Sequence, residues 1–291
     1  MIGFVNLFKA AGPTSAQALA RVRRIYCVYA DDRRLSAGHL GTLDPQASGV
    51  LPVAVGKATR LIPLLTDQRK SYAFTLVVGR STATHDAHGE TLESAAVPVD
   101  WSHRLERALG RFIGRISQTP PMYSAAHHRG RRLYDLAREG QCVEPKPRTI
   151  TIYGLRLLGI EHPSIARLRL ACSEGTYVRS LCRDLGAAIG VPAHMGALVR
   201  EASGQFVASE ALTLDEIAHD PHRALVAPEH VLALPTIVLT LRESSDFRAG
   251  RIVPLPQGAT ARHVFVRDET RALVGIGEAR GALLAPRKVF S

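Results

Sequence analysis

One acid stands in the most constrained stretch of the chain, Gly38-His39-Leu40-Gly41-Thr42-Leu43-Asp44-Pro45-Gln46-Ala47-Ser48-Gly49. Three glycines in twelve residues call for backbone at positive φ or for another segment close by, and Pro45 biases Asp44 toward an extended conformation. Asp44 has no charged neighbour in the stretch apart from His39, and the next carboxylate along the chain is Asp67. A carboxylate on so rigid a loop can serve as nucleophile or general base. The same residues also suit an Asx-type turn, in which Asp44 only accepts hydrogen bonds from nearby backbone.

The longer string GHLGTLDPQASGVLPVAVGKATRL, residues 38 to 61, resembles the signature of the TruB family of tRNA pseudouridine synthases, with Arg60 in place of a final lysine. The resemblance implies that Asp44 is the catalytic residue. Lys70-Ser71-Tyr72 is similar to the family's K-x-Y, which places the ring of Tyr72 against the target base. Gly175-Thr176-Tyr177-Val178-Arg179 resembles G-T-Y-I-R, whose arginine, here Arg179, reaches the catalytic aspartate. In Ala193-His194-Met195-Gly196-Ala197-Leu198-Val199-Arg200 the corresponding leucine is Leu198, a wall of the uridine pocket. Gln118 to Ala125, which includes Tyr123, resembles Q-x-P-P-x-Y-S-A, and the basic run His127, Arg129, Arg131 and Arg132 follows it as an implied RNA contact. Lys9 stands where family members carry a lysine before a G-x-T-S turn and is assigned to RNA as well.

By this resemblance the chain isomerises uridine 55 in the T-loop of tRNA to pseudouridine, with no cofactor and no metal. The implied partner is the T-arm stem-loop of tRNA, met by a cytoplasmic monomer with no membrane and no obligate protein partner. A synthase acting on another RNA, or an RNA-binding or tRNA-folding protein without catalysis, is the alternative. The chemistry accounts for the residue types. Flipping a stacked base costs roughly a few kcal/mol, and stacking on Tyr72 returns about 1 to 3 kcal/mol. His39 is placed to fill the vacated space. Asp44 must stay ionised, which burial opposes and a guanidinium such as Arg179 favours.

These residues need elements to position them. Gly12-Pro13-Thr14-Ser15 supplies a break and a cap, and Ala18, Leu19, Val22, Ile25 and Tyr26 form an apolar stripe at helical spacing. Residues 50 to 56 read as a buried strand, 57 to 65 as a short helix, and 71 to 79 as a strand of period two. A helix is expected over 101 to 114, two strands within 149 to 173, and a helix from Arg179 to Ile189 stopped by Gly190. A further helix, with Leu133, Leu136 and Ala137 inward, is expected after the basic run. The fold class implied is α+β, with a mixed, largely antiparallel sheet. Short strands from about residue 236 onward, separated by Gly/Pro turns, predict a small C-terminal β-barrel that resembles a PUA-like domain. The expected division is therefore a catalytic domain over 1 to 232 and an RNA-binding domain over 233 to 291.

Composition points the same way. The net charge is +11 and the charge is clustered. Residues 1 to 70 and 101 to 150 each carry ten Lys/Arg against four Asp/Glu, whereas 71 to 100 net −3. Such blocks fit a polyanion. No apolar run is long enough to span a bilayer. The four cysteines form no C-x-x-C pair. His85-Asp86-Ala87-His88 has the look of metal ligands, but turn chemistry accounts for Asp86 and Gly89, and no second cluster completes a site.

Overall fold

The computed structural model describes residues 1–124, 127–128, 131–132, 139, 143, 145–256 and 261–290, the side chains of 127, 128 and 132 excepted. The helix expected to carry Leu133, Leu136 and Ala137 lies outside this set.

The chain opens with β1 (Ile2–Lys9), helix α1 (Ser15–Tyr29), β2 (Ala37–His39) and β3 (Ser48–Gly56). A 3-10 segment, Lys57–Leu64, leads to β4 (Lys70–Val78) and the hairpin β5 (Arg80–Thr82) and β6 (Thr91–Ser94). Helix α2 (Trp101–Leu109), β7 (Gly114–Gln118) and the two-residue strands β8 (His127–His128) and β9 (Arg131–Arg132) follow. Then come β10 (Arg148–His162), β11 (Ile165–Cys172), helix α3 (Val178–Ile189), β12 (Ala193–Ser203) and β13 (Phe206–Val207). The tail holds β14 (Thr236–Leu239), a helix Leu241–Arg248, β15 (Val253–Pro254), β16 (His263–Asp268), β17 (Leu273–Arg280) and β18 (Leu283–Val289).

Local chemistry sets the helix ends. Thr14 and Gln17 form a reciprocal capping box that starts α1, and Gly190, at φ 73°, ends α3 in the left-handed conformation a glycine allows. The helix expected over 101 to 114 stops earlier. It tightens to a 3-10 turn at Gly110–Phe112, and Gly114, at φ 96°, turns the chain into β7.

Among the described residues the main sheet has nine strands in the order β1-β3-β12-β4-β11-β10-β7, with β2 on β3 and β13 on β12. Its pairings are antiparallel except for β3 with β12, where Ser48 lies beside Val199 and Gly49 beside Arg200. In β4 the side chains of Tyr72, Phe74, Leu76 and Val78 alternate inward, as the period of two requires. From Val50 to Val55 β3 is apolar at every position because both its faces are covered. Leu51, Val53 and Val55 join the core beneath α1, α2 and α3, while Val50 and Ala54 join a second core on the opposite face.

That second core is shared with the tail. Phe4, Val50, Ala54 and Leu61 of the main sheet side pack with Phe206, Val231, Leu232, Phe265, Ile276 and Phe290. Among the described residues the expected barrel does not close. The tail strands run β14-β16-β17-β18-β15, with β14 and the two-residue β15 as free ends. The helix Leu241–Arg248 inserts Phe247 among Leu239, Val264, Val266, Val274 and Leu284, so a helix covers that face where a barrel would need further strand pairing.

Candidate active site

The glycine-rich loop is held by its carbonyls. Five successive carbonyl oxygens, from Gly41 to Pro45, each accept a hydrogen bond. Arg200 donates from Nη2 to Gly41 at 3.0 Å and from Nη1 to Thr42 at 3.3 Å, while its Nε reaches Val50 in β3 at 2.7 Å. Ser15, at the start of α1, donates to the Leu43 carbonyl and accepts from the Leu43 N–H, both at 2.8 Å. The Ala47 N–H closes on the Asp44 carbonyl, and the Gly12 N–H on that of Pro45. Gly41 and Gly49, at φ 112° and 110°, make the path possible, and a Cβ on Gly49 would lie 2.2 Å from the Arg200 carbonyl.

This framework leaves the Asp44 side chain to face Arg179 and not its own backbone, so the Asx-type turn is not what the loop uses. Arg179 donates from Nη2 to Oδ1 at 3.1 Å, and its Nε stands 2.9 Å from Oδ2. Arg179 is buried, whereas the Asp44 side chain remains 30% exposed. The guanidinium also donates to the carbonyls of Thr84 and Tyr123, and Nη1 lies 3.7 Å from Asp86 Oδ2. Gln118 exchanges hydrogen bonds with both backbone groups of Tyr177, and Ser180 donates to the Thr119 carbonyl. The Gln-Thr-Pro-Pro segment thereby sets the entry of α3 and with it the position of Arg179.

Burial raises the pKa of Asp44, Arg179 opposes the rise, and Asp86 adds to it. The expectation that Arg179 offsets burial is thus met only in part: burial is the largest influence, and a second carboxylate beside the same guanidinium adds to the rise. Asp86 is itself fixed by donors from Thr84 Oγ1, Gln46 Nε2 and the His88 N–H, at 2.6, 2.8 and 3.1 Å.

Asp44, Tyr72, Arg179 and Leu198 converge on a cleft of about 230 Å3, with Thr42, Leu43, Lys70, Ser124 and residues 175 to 178 completing its walls. The volume is below the roughly 300 to 1,000 Å3 of sites for drug-sized ligands, a scale that suits one nucleobase. Burial pushes the Tyr72 phenol up to about 12 against the opposing pull of the Arg200 guanidinium, so the ring stays neutral. Tyr123 enters the site through its carbonyl. His39 lines an adjoining cavity and not the cleft.

Lys9 requires a correction. Its side chain is 1% exposed, and its ammonium donates to the carbonyls of Ala10, Pro13 and Pro45 at 2.9, 2.9 and 3.1 Å. All three donors are occupied inside the protein, so Lys9 braces the loop and offers RNA nothing. Arg131 pairs with Glu139 at 2.5 Å, while Arg129 and the side chains of His127 and Arg132 lie outside the described residues. The sequence assigns no role to Arg200 or Lys70 and only a turn to Asp86. An arginine within a strand and an acid in a turn carry no local sign of burial.

A family model described as "TruB family pseudouridylate synthase (N terminal domain)" matches residues 30–178, and one described as "tRNA pseudouridylate synthase B C-terminal domain" matches 179–233. The chain belongs to the TruB family of pseudouridylate synthases. The two TruB models meet inside α3, so Asp44 falls in one and Arg179 opens the other. Relatives named tRNA pseudouridine synthase B include that of Streptococcus pneumoniae, 39% identical over all of both chains. That of Caldanaerobacter subterraneus is 36% identical over 99% of each chain. Among solved structures, the Cbf5-Nop10-Gar1 complex contains a chain similar to this TruB member with a TM-score of 0.67 and 27% identity, covering 99% of this chain and 85% of that one. A Cbf5 chain in the archaeal box H/ACA Nop10-Cbf5 complex gives 0.64 and 26%, over 99% and 86%.

Proposed function

We propose that this chain converts uridine 55 in the T-loop of tRNA to pseudouridine, working as a cytoplasmic monomer on the T-arm stem-loop without a cofactor. The observation that carries the reading is the Asp44–Arg179 pair: an accessible carboxylate in the wall of a base-sized cleft, gripped by a buried guanidinium, in a chain of the TruB family. In the isomerisation the C1′–N1 bond breaks and a C1′–C5 bond forms, while C5 loses a proton and N1 gains one. The atom count is unchanged, so the chemistry asks for a charged group at the sugar and base and for a closed site.

Asp44 supplies the charge in its ionised form. Tyr72 and Leu198 sandwich the flipped base, and a stacked aromatic returns about 1 to 3 kcal/mol toward the flip. His39, whose burial lowers its pKa, is a neutral ring for the space the base leaves. The basic block over 101 to 150, with His127, Arg129, Arg131 and Arg132, meets phosphates, and residues 233 to 291 add a PUA-like RNA-binding surface with a net charge of +4. Residues 1 to 232 hold the catalytic groups.

Relatives matched end to end at 36–39% identity bear the name tRNA pseudouridine synthase B, against 26–27% for the Cbf5 chains, which favours the stand-alone tRNA enzyme over a partner-dependent one. Incubating the purified protein with unmodified tRNA and mapping pseudouridine tests this. Modification at position 55 without added protein or guide RNA is the expected result. Modification elsewhere, or only with a second component, overturns the reading.

A further inference from the structure

Two cavities meet at one side chain. The catalytic cleft and a larger cavity of about 400 Å3, walled by His39, Leu40, Leu65, Phe206 and Leu232 among others, share Lys70. Lys70 opens β4, where it pairs with Cys172 on one side and Ser203 on the other, so two ladders fix its backbone. The residue is half-buried, and its Nζ lies 2.9 Å from the place a Cβ on Gly41 would take. Among the described residues this ammonium has no hydrogen-bond or ion-pair partner. The charged and titratable groups that act on it are Arg200, a second cation, and Glu174 and Cys172. Burial and Arg200 both lower its pKa.

A cation taken from water without a partner is unfavourable. Lys9 shows the usual remedy, three carbonyl acceptors on one ammonium. Arg200 shows it again, with Gly41, Thr42 and Val50 as acceptors. Lys70 instead borders the cleft that holds Asp44, with no acceptor for its donors among the described residues. A backbone phosphate fits that space: it is compact, anionic and rich in acceptors, and a nucleotide whose base enters the cleft carries a phosphate on each side of its sugar.

We propose that Lys70 binds one of the two backbone phosphates flanking the target uridine, fixing the sugar at the boundary between the cavities. This rests on the pseudouridine synthase reading. It places the contact on a rigid strand beside Asp44, so binding energy gathered at the phosphate also sets the position of the sugar carbon that reacts.

The test uses T-arm RNA with a single uncharged methylphosphonate 5′ or 3′ of the target uridine, against wild type, Lys70→Gln and Lys70→Arg. One neutral linkage should weaken binding to wild type about tenfold, and Lys70→Gln should lose about as much with unmodified RNA. The two changes together should be no worse than either alone. Lys70→Gln should also flatten the log–log salt dependence by about 1, and Lys70→Arg should retain most of the affinity. Equal wild-type affinity for all three RNAs overturns the proposal even if Lys70→Gln fails to fold, as does full additivity of the two losses. Isomerisation of the unmodified RNA is read in the same samples. Its absence overturns the enzyme reading and the proposal together, whereas its presence with additive losses overturns the Lys70 contact alone.

Discussion

Asp44 and Arg179, 135 positions apart in sequence, face each other fork to fork, with Nε 2.9 Å from Oδ2 and Nη2 3.1 Å from Oδ1. Two parallel contacts fix the plane of the carboxylate as well as its place, which one contact from a lysine would not do. Asp86 stands behind the same guanidinium. The pair is therefore a triad of charges, two negative and one positive, in which burial and Asp86 together outweigh Arg179 at Asp44.

Asp44→Asn keeps the shape of the side chain and removes its charge. Pseudouridine formation should vanish in single-turnover assays at saturating RNA, with T-arm affinity within a few-fold of wild type. Measurable turnover by a verified Asp44→Asn protein would remove Asp44 from the chemistry.

The pH profile separates the two neighbours by sign. Asp44 acts as a carboxylate, so the single-turnover rate climbs as pH rises through its raised pKa and levels above it. Arg179 holds that pKa down, so Arg179→Ala should move the climb to higher pH and be partly rescued in alkaline buffer. Asp86 holds it up, so Asp86→Asn should move the climb to lower pH, with a lower plateau because Gln46 and Thr84 donate to different oxygens of Asp86 and an amide keeps only one of them. Climbs that coincide with wild type in both variants would leave these residues a purely geometric role.

Gly49→Ala should destabilise the protein strongly. Its φ of 110° alone is worth about 1 to 3 kcal/mol against an L residue, and the new Cβ would meet the Arg200 carbonyl at 2.2 Å. Thermal or urea unfolding reads the loss directly. A melting temperature equal to wild type would show that the β3 and β12 backbones can separate at little cost.

Truncation after Leu232 should expose Phe4, Val50, Ala54 and Leu61, which now pack on Phe265, Ile276 and Phe290. The shortened protein should aggregate or melt well below the full chain, and fluorescence of a hydrophobic dye should rise. A soluble fragment with a wild-type melt would show that the shared core contributes little to the main sheet.

What sequence alone determined about this protein is what short-range chemistry determines. The glycines at 41 and 49 announce positive φ, Thr14 and Gly190 announce helix ends, and the alternation through Tyr72, Phe74, Leu76 and Val78 announces a half-buried strand. The motifs around Asp44 and Arg179 carry the family in the same way, as runs of neighbours. Tertiary structure decided what each charge does. Lys9 and Lys70 are both lysines in a basic block, yet one gives its three donors to the carbonyls of Ala10, Pro13 and, 36 residues away, Pro45, and the other faces a cleft. Arg200 within β12 and Asp86 in a hairpin become the props of the loop and of Arg179 only once β12 lies beside β3 and α3 beside the hairpin. The open tail sheet and its shared core were equally hidden, because strand closure and burial depend on contacts between residues that the chain keeps far apart, and no local pattern encodes which of them meet.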